Sequence, residues 1–156
     1  MKQPATKNKR INLWQYQFIL ARRLAWWGAL SFAVGIPSFL VEPALRGFGL
    51  QAMIWGLLMA VLAVGGSLLI IRRRKALPDP QAKEAVAKET DNLRRLLKLM
   101  IPLAVIFVVV GLVLIFTVGR KNVWWMGTGV SIVVQGLFLL GFDWYHAKNI
   151  PVTLGG

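Results

Sequence analysis

The sequence predicts an all-α, polytopic membrane protein with four transmembrane helices arranged as two antiparallel hairpins. The chain is 56% hydrophobic yet carries a net charge of +13, with its cations concentrated at the edges of apolar stretches. Four stretches, each 18 to 22 residues long, contain no ionisable side chain: 24–41, 50–71, 99–118 and 122–142. Because a helix crosses a hydrocarbon core of about 30 Å in roughly 20 residues, each stretch is long enough to span a membrane.

Five segments follow from these stretches. They are a basic amphipathic N-terminal segment (1–23), a first transmembrane hairpin (24–71), a basic cytoplasmic loop (72–98), a second hairpin (99–142) and a short tail (143–156). Pro78 and Pro80 interrupt the chain after the second span, and apolar residues then recur at helical spacing from Gln81 to Lys98. This amphipathic helix either lies against the headgroups or continues directly into the third span.

The cation distribution predicts the topology. All but three of the 19 Lys and Arg residues lie in the N-terminal segment, the loop or the tail, and the exceptions are Arg46, Arg120 and Lys121. Because cationic flanks resist translocation, both termini and the loop are predicted to be cytoplasmic, at a plasma (inner) membrane. The second span ends in four consecutive cations, Arg72, Arg73, Arg74 and Lys75. They are predicted to form a surface for anionic lipid or a partner.

The two hairpins resemble each other along the chain. An arginine pair precedes each hairpin, Arg22-Arg23 and Arg94-Arg95, and Arg46 and Trp55 have counterparts in Arg120 and Trp125. The separation within each of these pairs is similar, which indicates a duplicated two-helix unit, related by an axis along the membrane normal. The alternative is that any two hairpins obeying the same topology rules look alike.

Small residues four positions apart mark predicted helix-packing seams, because close backbone approach stabilises helix pairs in lipid. The predicted positions include Ala29 and Ala33 in span one, Gly56 and Ala60 in span two, and Gly127 and Ser131 in span four. Gln135 is the one strongly polar side chain near the middle of a span. We expect its amide to hydrogen-bond to another helix.

The ionisable residues near the membrane edges are predicted to form ion pairs. Glu42 lies at the far interface, where Arg46 is one helical turn away. Asp143, near the cytoplasmic end of span four, is expected to pair with an arginine of the same depth, such as Arg22 or Arg94. His146, three residues further, is expected to be solvated, with haem ligation as a weak alternative.

The composition offers no reaction centre. The chain has no cysteine, which excludes disulfides and thiolate chemistry, and it has no phosphate loop, HExxH or Ser/His/Asp set. No catalytic residue, metal site or cofactor is therefore predicted. The basic charge is assigned to topology and to anionic headgroups, not to nucleic acid.

Three functions remain in order of preference. The first is a non-enzymatic integral membrane protein that acts through helix–helix contacts, as an accessory or scaffold subunit or as a homo-oligomer. The second is a small transporter or channel, formed by the duplicated hairpins or a dimer, in which Gln135 or Glu42 would line the pathway. The third is a haem-bearing anchor of a redox enzyme with His146 as a ligand.

Overall fold

The computed structural model describes residues 12–151, and in that range it contains four α-helices and no strand. The helices are α1 (Leu13–Phe39), α2 (Pro43–Ala76), α3 (Lys83–Phe116) and α4 (Val123–Lys148). All four are long and apolar enough to cross a membrane, which confirms the predicted all-α class with four helices of spanning length. The N-terminal residues Lys2, Lys7, Lys9, Arg10 and Ile11, and residues 152–156, lie outside the described range.

Capping residues define the helix starts. The Asn12 side chain accepts a hydrogen bond from the backbone N–H of Gln15 at 2.8 Å, which satisfies a free donor of the first turn of α1. Pro43 begins α2, where a missing N–H costs nothing. Asn122 caps α4 in the same way as Asn12 caps α1, at 3.0 Å from the backbone nitrogen of Trp124.

The helices are longer than the apolar stretches at one end of the bundle. α2 and α3 each contain 34 residues, and a helix of that length extends about 51 Å. The loop segment from Lys83 to Lys98 therefore continues directly into the third span as one helix. We call the end where α2 finishes and α3 begins the basic end, and the opposite end, with turns 40–42 and 117–122, the turn end.

Glycine contacts hold the first hairpin together. A Cβ atom added to Gly28 would lie 2.7 Å from the carbonyl oxygen of Gly56, and one added to Gly49 would lie 2.5 Å from that of Gly35. Both distances are too short for any side chain, so α1 and α2 approach backbone to backbone. The seam repeats every seven residues on each helix, at Gly28 and Gly35 on α1 and at Gly49 and Gly56 on α2.

The second hairpin has the same kind of seam. A Cβ atom at Gly111 would lie 2.8 Å from the carbonyl oxygen of Gly129, and one at Gly136 would lie 3.2 Å from that of Ala104. The small residues are again seven positions apart on each helix. Both hairpins are therefore antiparallel pairs with one contact geometry.

These seams correct part of the sequence prediction. Ala29 and Ala33 lie on an exposed face of α1, whereas Gly28 and Gly35 face α2. On α2, Gly56 and Ala60 both lie next to Gly28. A spacing of four selects one helical face, but it does not say which face meets the neighbouring helix; that depends on where glycine permits the closest approach.

The hairpins meet through α2 and α4, which run parallel near the turn end. A Cβ atom at Gly47 would clash with the carbonyl oxygen of Trp124, and one at Gly127 would clash with that of Ala44. The order of close packing is therefore α1, α2, α4, α3. α1 and α4 are linked mainly by long side chains that cross the space between their backbones.

Candidate functional site

A polar network joins α1 to α4 near the middle of the bundle. The Trp27 indole donates to Gln135 Oε1 at 2.6 Å, and Gln135 Nε2 donates to Ser31 Oγ at 3.2 Å. Gln135 is 2% exposed, so these bonds satisfy both ends of an amide that is buried from lipid and water. The predicted hydrogen bond between helices is present, and its partners come from α1.

A second network lies at the basic end and surrounds the only histidine in the chain. Arg23 Nη1 lies 3.1 Å from His146 Nε2, and Tyr16 Oη lies 2.9 Å from His146 Nδ1. The Tyr16 hydroxyl also donates to the backbone carbonyl of His146 at 3.4 Å. His146 is only 3% exposed, so the expectation of a solvated imidazole is wrong.

The donors fix the tautomer of His146. A guanidinium can only donate, so His146 Nε2 must accept and the ring proton must lie on Nδ1. The Nδ1–H then donates to Tyr16 Oη, whose own proton points to the His146 carbonyl. Neither ring nitrogen is left for a metal. The residues around His146 therefore do not fit a haem ligand, and in the described range no group of His, Asp and Glu side chains could hold a metal ion.

Asp143 differs from its prediction. The residue is 5% exposed, and its buried Oδ2 atom has no hydrogen-bond partner in the described structure. Neither Arg22 nor Arg94 forms a salt bridge within residues 12–151, and Arg95 pairs with Asp91. Arg22 is exposed, whereas Asp143 faces the interior of the bundle. The two residues lie near the same end of the bundle, but their side chains are on different faces and do not form the predicted ion pair.

Glu42 and Arg46 lie at the turn end, and both side chains are exposed. Arg46 donates its Nε to the carbonyl oxygen of Val41 at 2.9 Å, and in the described part of the chain neither residue takes part in a salt bridge. A backbone contact replaces the predicted ion pair, because the turn brings a carbonyl within reach of the guanidinium.

Polar contacts tie three helices together at the basic end. Glu89 Oε1 accepts from Arg73 Nη1 at 3.1 Å and from Gln17 Nε2 at 3.2 Å, so one carboxylate links α1, α2 and α3. The Trp14 indole donates to the carbonyl oxygen of Pro80 at 2.9 Å. The predicted lipid or partner surface at 72–75 is exposed beside these contacts.

A groove of about 750 Å³ runs between α1 and α4 from the basic end toward the middle of the bundle. The Trp27 ring stacks on Phe138 with a centroid distance of 3.9 Å and closes its inner wall. Trp26 and Tyr145 lie at its margins and are 72% and 55% exposed. The groove is therefore open to the surroundings, cationic at Arg23 and apolar elsewhere.

Two further predicted packing positions face the interior of the bundle. Ser131 is fully buried on α4, and Gly127 contacts Ala44 of α2. The hydroxyl of Ser131 and the indole nitrogen of Trp55 have no hydrogen-bond partner in the described structure. Both atoms belong to α2 or α4, the helices that join the hairpins.

The two tyrosines provide a test of the His146 network. We expect Tyr16→Phe to lower the free energy of unfolding by about 1 to 2 kcal/mol, because the buried Nδ1–H of His146 loses its acceptor. Tyr145→Phe is the matched control, since its exposed hydroxyl makes no hydrogen bond within residues 12–151. Denaturant titration in detergent micelles measures both. Equal effects of the two variants would contradict the assigned network.

Sequence reasoning missed Tyr16, Trp27 and Ser31 as partners. Each belongs to α1, and each reaches α4 across a gap that separates the two backbones. The seven-residue glycine spacing was visible in the sequence and could have indicated the face that α1 presents to α2. That face would not have revealed the contact with α4, because Ser31 lies between Gly28 and Gly35 on the same side of α1.

Residues 23–144 match the model of a family of unknown function, DUF6992. The chain belongs to this family. The DUF6992 match includes both hairpins, their glycine seams, Arg23 and Gln135, whereas Tyr16 and His146 lie outside it. No curated protein and no solved structure matches the chain significantly. Membership of DUF6992 therefore assigns no activity, and the function has to be argued from the geometry.

Proposed function

We propose that this protein is a non-enzymatic, multi-pass membrane protein that acts by contact, as an accessory or scaffold subunit of a larger or self-associated complex. In this proposal the basic end faces the cytoplasm at a plasma (inner) membrane, as the distribution of cations predicts. The partner binds at the basic end, where α2 and α3 extend beyond their apolar stretches.

The observation that carries the proposal is the construction of the basic end. Glu89 is bonded to both Gln17 and Arg73, and the Trp14 side chain is bonded to the loop carbonyl of Pro80. These contacts fix the extended parts of three helices relative to one another. A fixed surface with exposed cations at 72–75 suits a partner or a lipid surface of opposite charge.

The middle of the bundle also favours contact over transport. Gln135 already uses both ends of its amide on Trp27 and Ser31. Glu42, the other side chain that a pathway would use, is exposed at the turn end. Transporters usually keep unwound or ionisable elements at the midplane, and α4 is a continuous helix there.

The proposal includes an origin by duplication of one hairpin, which the glycine seams support. The two seam residues of α1, Gly28 and Gly35, precede the two seam residues of α3, Ala104 and Gly111, by the same number of residues. We call this constant difference in residue number the shift from α1 to α3. A second common shift carries the α2 seam, Gly49 and Gly56, onto the α4 seam, Gly129 and Gly136. Both shifts are slightly larger than the separations of the arginine and tryptophan pairs, so the contacts favour a different alignment of the two halves.

Contacts between the hairpins support the same alignment independently. Gly47 meets the backbone of Trp124, and Gly127 meets that of Ala44. With the shift from α2 to α4, Gly47 corresponds to Gly127 and Ala44 corresponds to Trp124, so the two contacts are equivalent. This reciprocity is what a two-fold axis between the hairpins would produce.

Two side-chain contacts occupy positions that are equivalent when both shifts are applied. Trp55 of α2 packs edge-on against Phe107 of α3 at 5.0 Å, and the corresponding residues of α4 and α1 are Gln135 and Ser31, which are hydrogen-bonded. Equivalent positions thus carry an aromatic contact in one half and a polar contact in the other.

Co-purification from native membranes tests the contact function. We expect the full-length chain, extracted in mild detergent, to elute with a partner protein or as a defined oligomer. The triple variant Arg72→Gln, Arg74→Gln, Lys75→Gln should lose that partner, because it removes exposed cations and leaves the Arg73–Glu89 bond intact.

The matched control is Arg120→Gln with Lys121→Gln, which removes exposed cations from the turn end and should leave the complex unchanged. A wild-type chain that elutes as a monomer without partners would contradict the proposal. An equal loss in the triple variant and the control would show that overall charge, not the basic end, holds the complex.

A further inference from the structure

We infer that the groove between α1 and α4 is a binding site for one anionic phospholipid, with the phosphate at Arg23 and an acyl chain along Gly141. The site lies in the leaflet at the basic end. It does not depend on the scaffold function, because a bound lipid and a bound protein would use different surfaces.

The shape of the groove fits a chain attached to a headgroup. Its wall on α1 runs from Arg23 to Leu30, seven residues or about 10 Å along the helix. Its wall on α4 includes Gly141, and no atom beyond the adjacent residues and the local helix backbone lies within 4 Å of the position a Cβ would occupy there. The absence of a side chain at Gly141 leaves room for an acyl chain between the exposed rings of Trp26 and Tyr145.

The charge of the groove selects the headgroup. Arg23 directly precedes the first apolar stretch, so its guanidinium lies at the level where lipid phosphates are found. The Nη1–His146 Nε2 bond orients it, and within residues 12–151 it has no carboxylate partner. The guanidinium therefore offers its remaining N–H donors to a phosphate, which it can bind through two parallel hydrogen bonds.

The other half of the bundle provides an internal comparison. With the alignment derived from the glycine contacts, Arg23 corresponds to Leu99 of α3, and Tyr145 and His146 correspond to Gly65 and Gly66 of α2. The space between α2 and α3 thus lacks the cation, the imidazole that orients it and the aromatic margin. One selective site per chain is expected, on the α1–α4 side.

Native mass spectrometry of the delipidated, full-length protein tests the site, with phosphatidylglycerol and phosphatidylcholine as the two probes. We expect one phosphatidylglycerol to bind about fivefold more tightly than any further copy and than phosphatidylcholine, because phosphatidylcholine offers the same phosphate but carries no net negative charge. Arg23→Gln should weaken this first binding step about tenfold. Arg22→Gln, which removes an adjacent exposed cation that does not line the groove, should change it less than twofold.

A second pair of variants tests whether the acyl chain needs the space in the groove, without changing any charge or the contacts of Arg23. Gly141→Leu fills the groove and should abolish the tight site, whereas Gly66→Leu adds the same side chain to open space beside α2 and should preserve it. Thermal unfolding in detergent checks that each variant is folded. Equal binding of both lipids, or a tight site that survives both Arg23→Gln and Gly141→Leu, would overturn the inference.

Discussion

Replacing Gly127 with Ala is expected to lower the free energy of unfolding by about 3 kcal/mol, the upper end of the usual cost of overpacking. The new Cβ atom would clash with the carbonyl oxygen of Ala44, and a helix backbone cannot move aside as a flexible side chain can. Gly47→Ala should cost a similar amount, because its Cβ would meet the backbone of Trp124 in the reciprocal contact. Denaturant titration in mixed micelles measures both variants.

Gly65→Ala is the control for these substitutions. No atom of another helix lies within 4 Å of its added Cβ, so the change tests helix propensity alone and should be neutral or stabilising by up to about 1 kcal/mol. If Gly127→Ala were as stable as Gly65→Ala, the close contact of α2 with α4 would be wrong. A large effect of Gly127→Ala with none of Gly47→Ala would argue against the proposed two-fold relation of the hairpins.

Trp27→Ala is expected to cost about 2 kcal/mol or more, while the neighbouring Trp26→Ala has little effect on stability. Trp27 stacks on Phe138 and donates to Gln135, so its side chain bridges the gap between α1 and α4 near the middle of the bundle. Trp26 is 72% exposed and makes no hydrogen bond within residues 12–151. The two substitutions remove the same atoms, so their difference isolates the contact with α4.

Trp27→Phe divides the expected loss into two parts. The phenyl ring retains stacking on Phe138, but the acceptor of Gln135 is left unsatisfied, which costs about 1 to 2 kcal/mol in a buried site. Thermal unfolding of the three variants in one detergent gives the order. Equal stability of Trp26→Ala and Trp27→Ala would refute the role of Trp27 as a stabilising link between α1 and α4.

The number and type of the elements followed from the sequence because the membrane imposes simple constraints. An uninterrupted apolar stretch of about 20 residues has few alternatives to a spanning helix, since every backbone polar group must be satisfied internally. Pro78 and Pro80 placed the break between α2 and α3, and α3 starts at Lys83. The seams were harder, because Ala29 and Gly28 are adjacent in sequence and only one of them faces α2.

The candidate sites show the same division. Gln135 was predicted to hydrogen-bond to another helix because a lone amide in lipid needs a partner. Its partners Trp27 and Ser31 could not be predicted, because they depend on the rotation of α1. Asp143 and His146 lie near the end of α4, but the sequence prediction gave them the wrong environments, since position along a helix does not determine which face is buried.

The four helices, their apolar lengths and the concentration of cations at one end can be read from the amino-acid sequence, because these features depend on composition along one dimension. The helices that touch, the groove that α1 and α4 leave between them and the contact that orients Arg23 on His146 become visible in the packed fold alone. This difference arises because lipid solvates every apolar face of a helix almost equally. Close glycine contacts and a few hydrogen bonds therefore select the rotation of each helix, and hydrophobic periodicity does not.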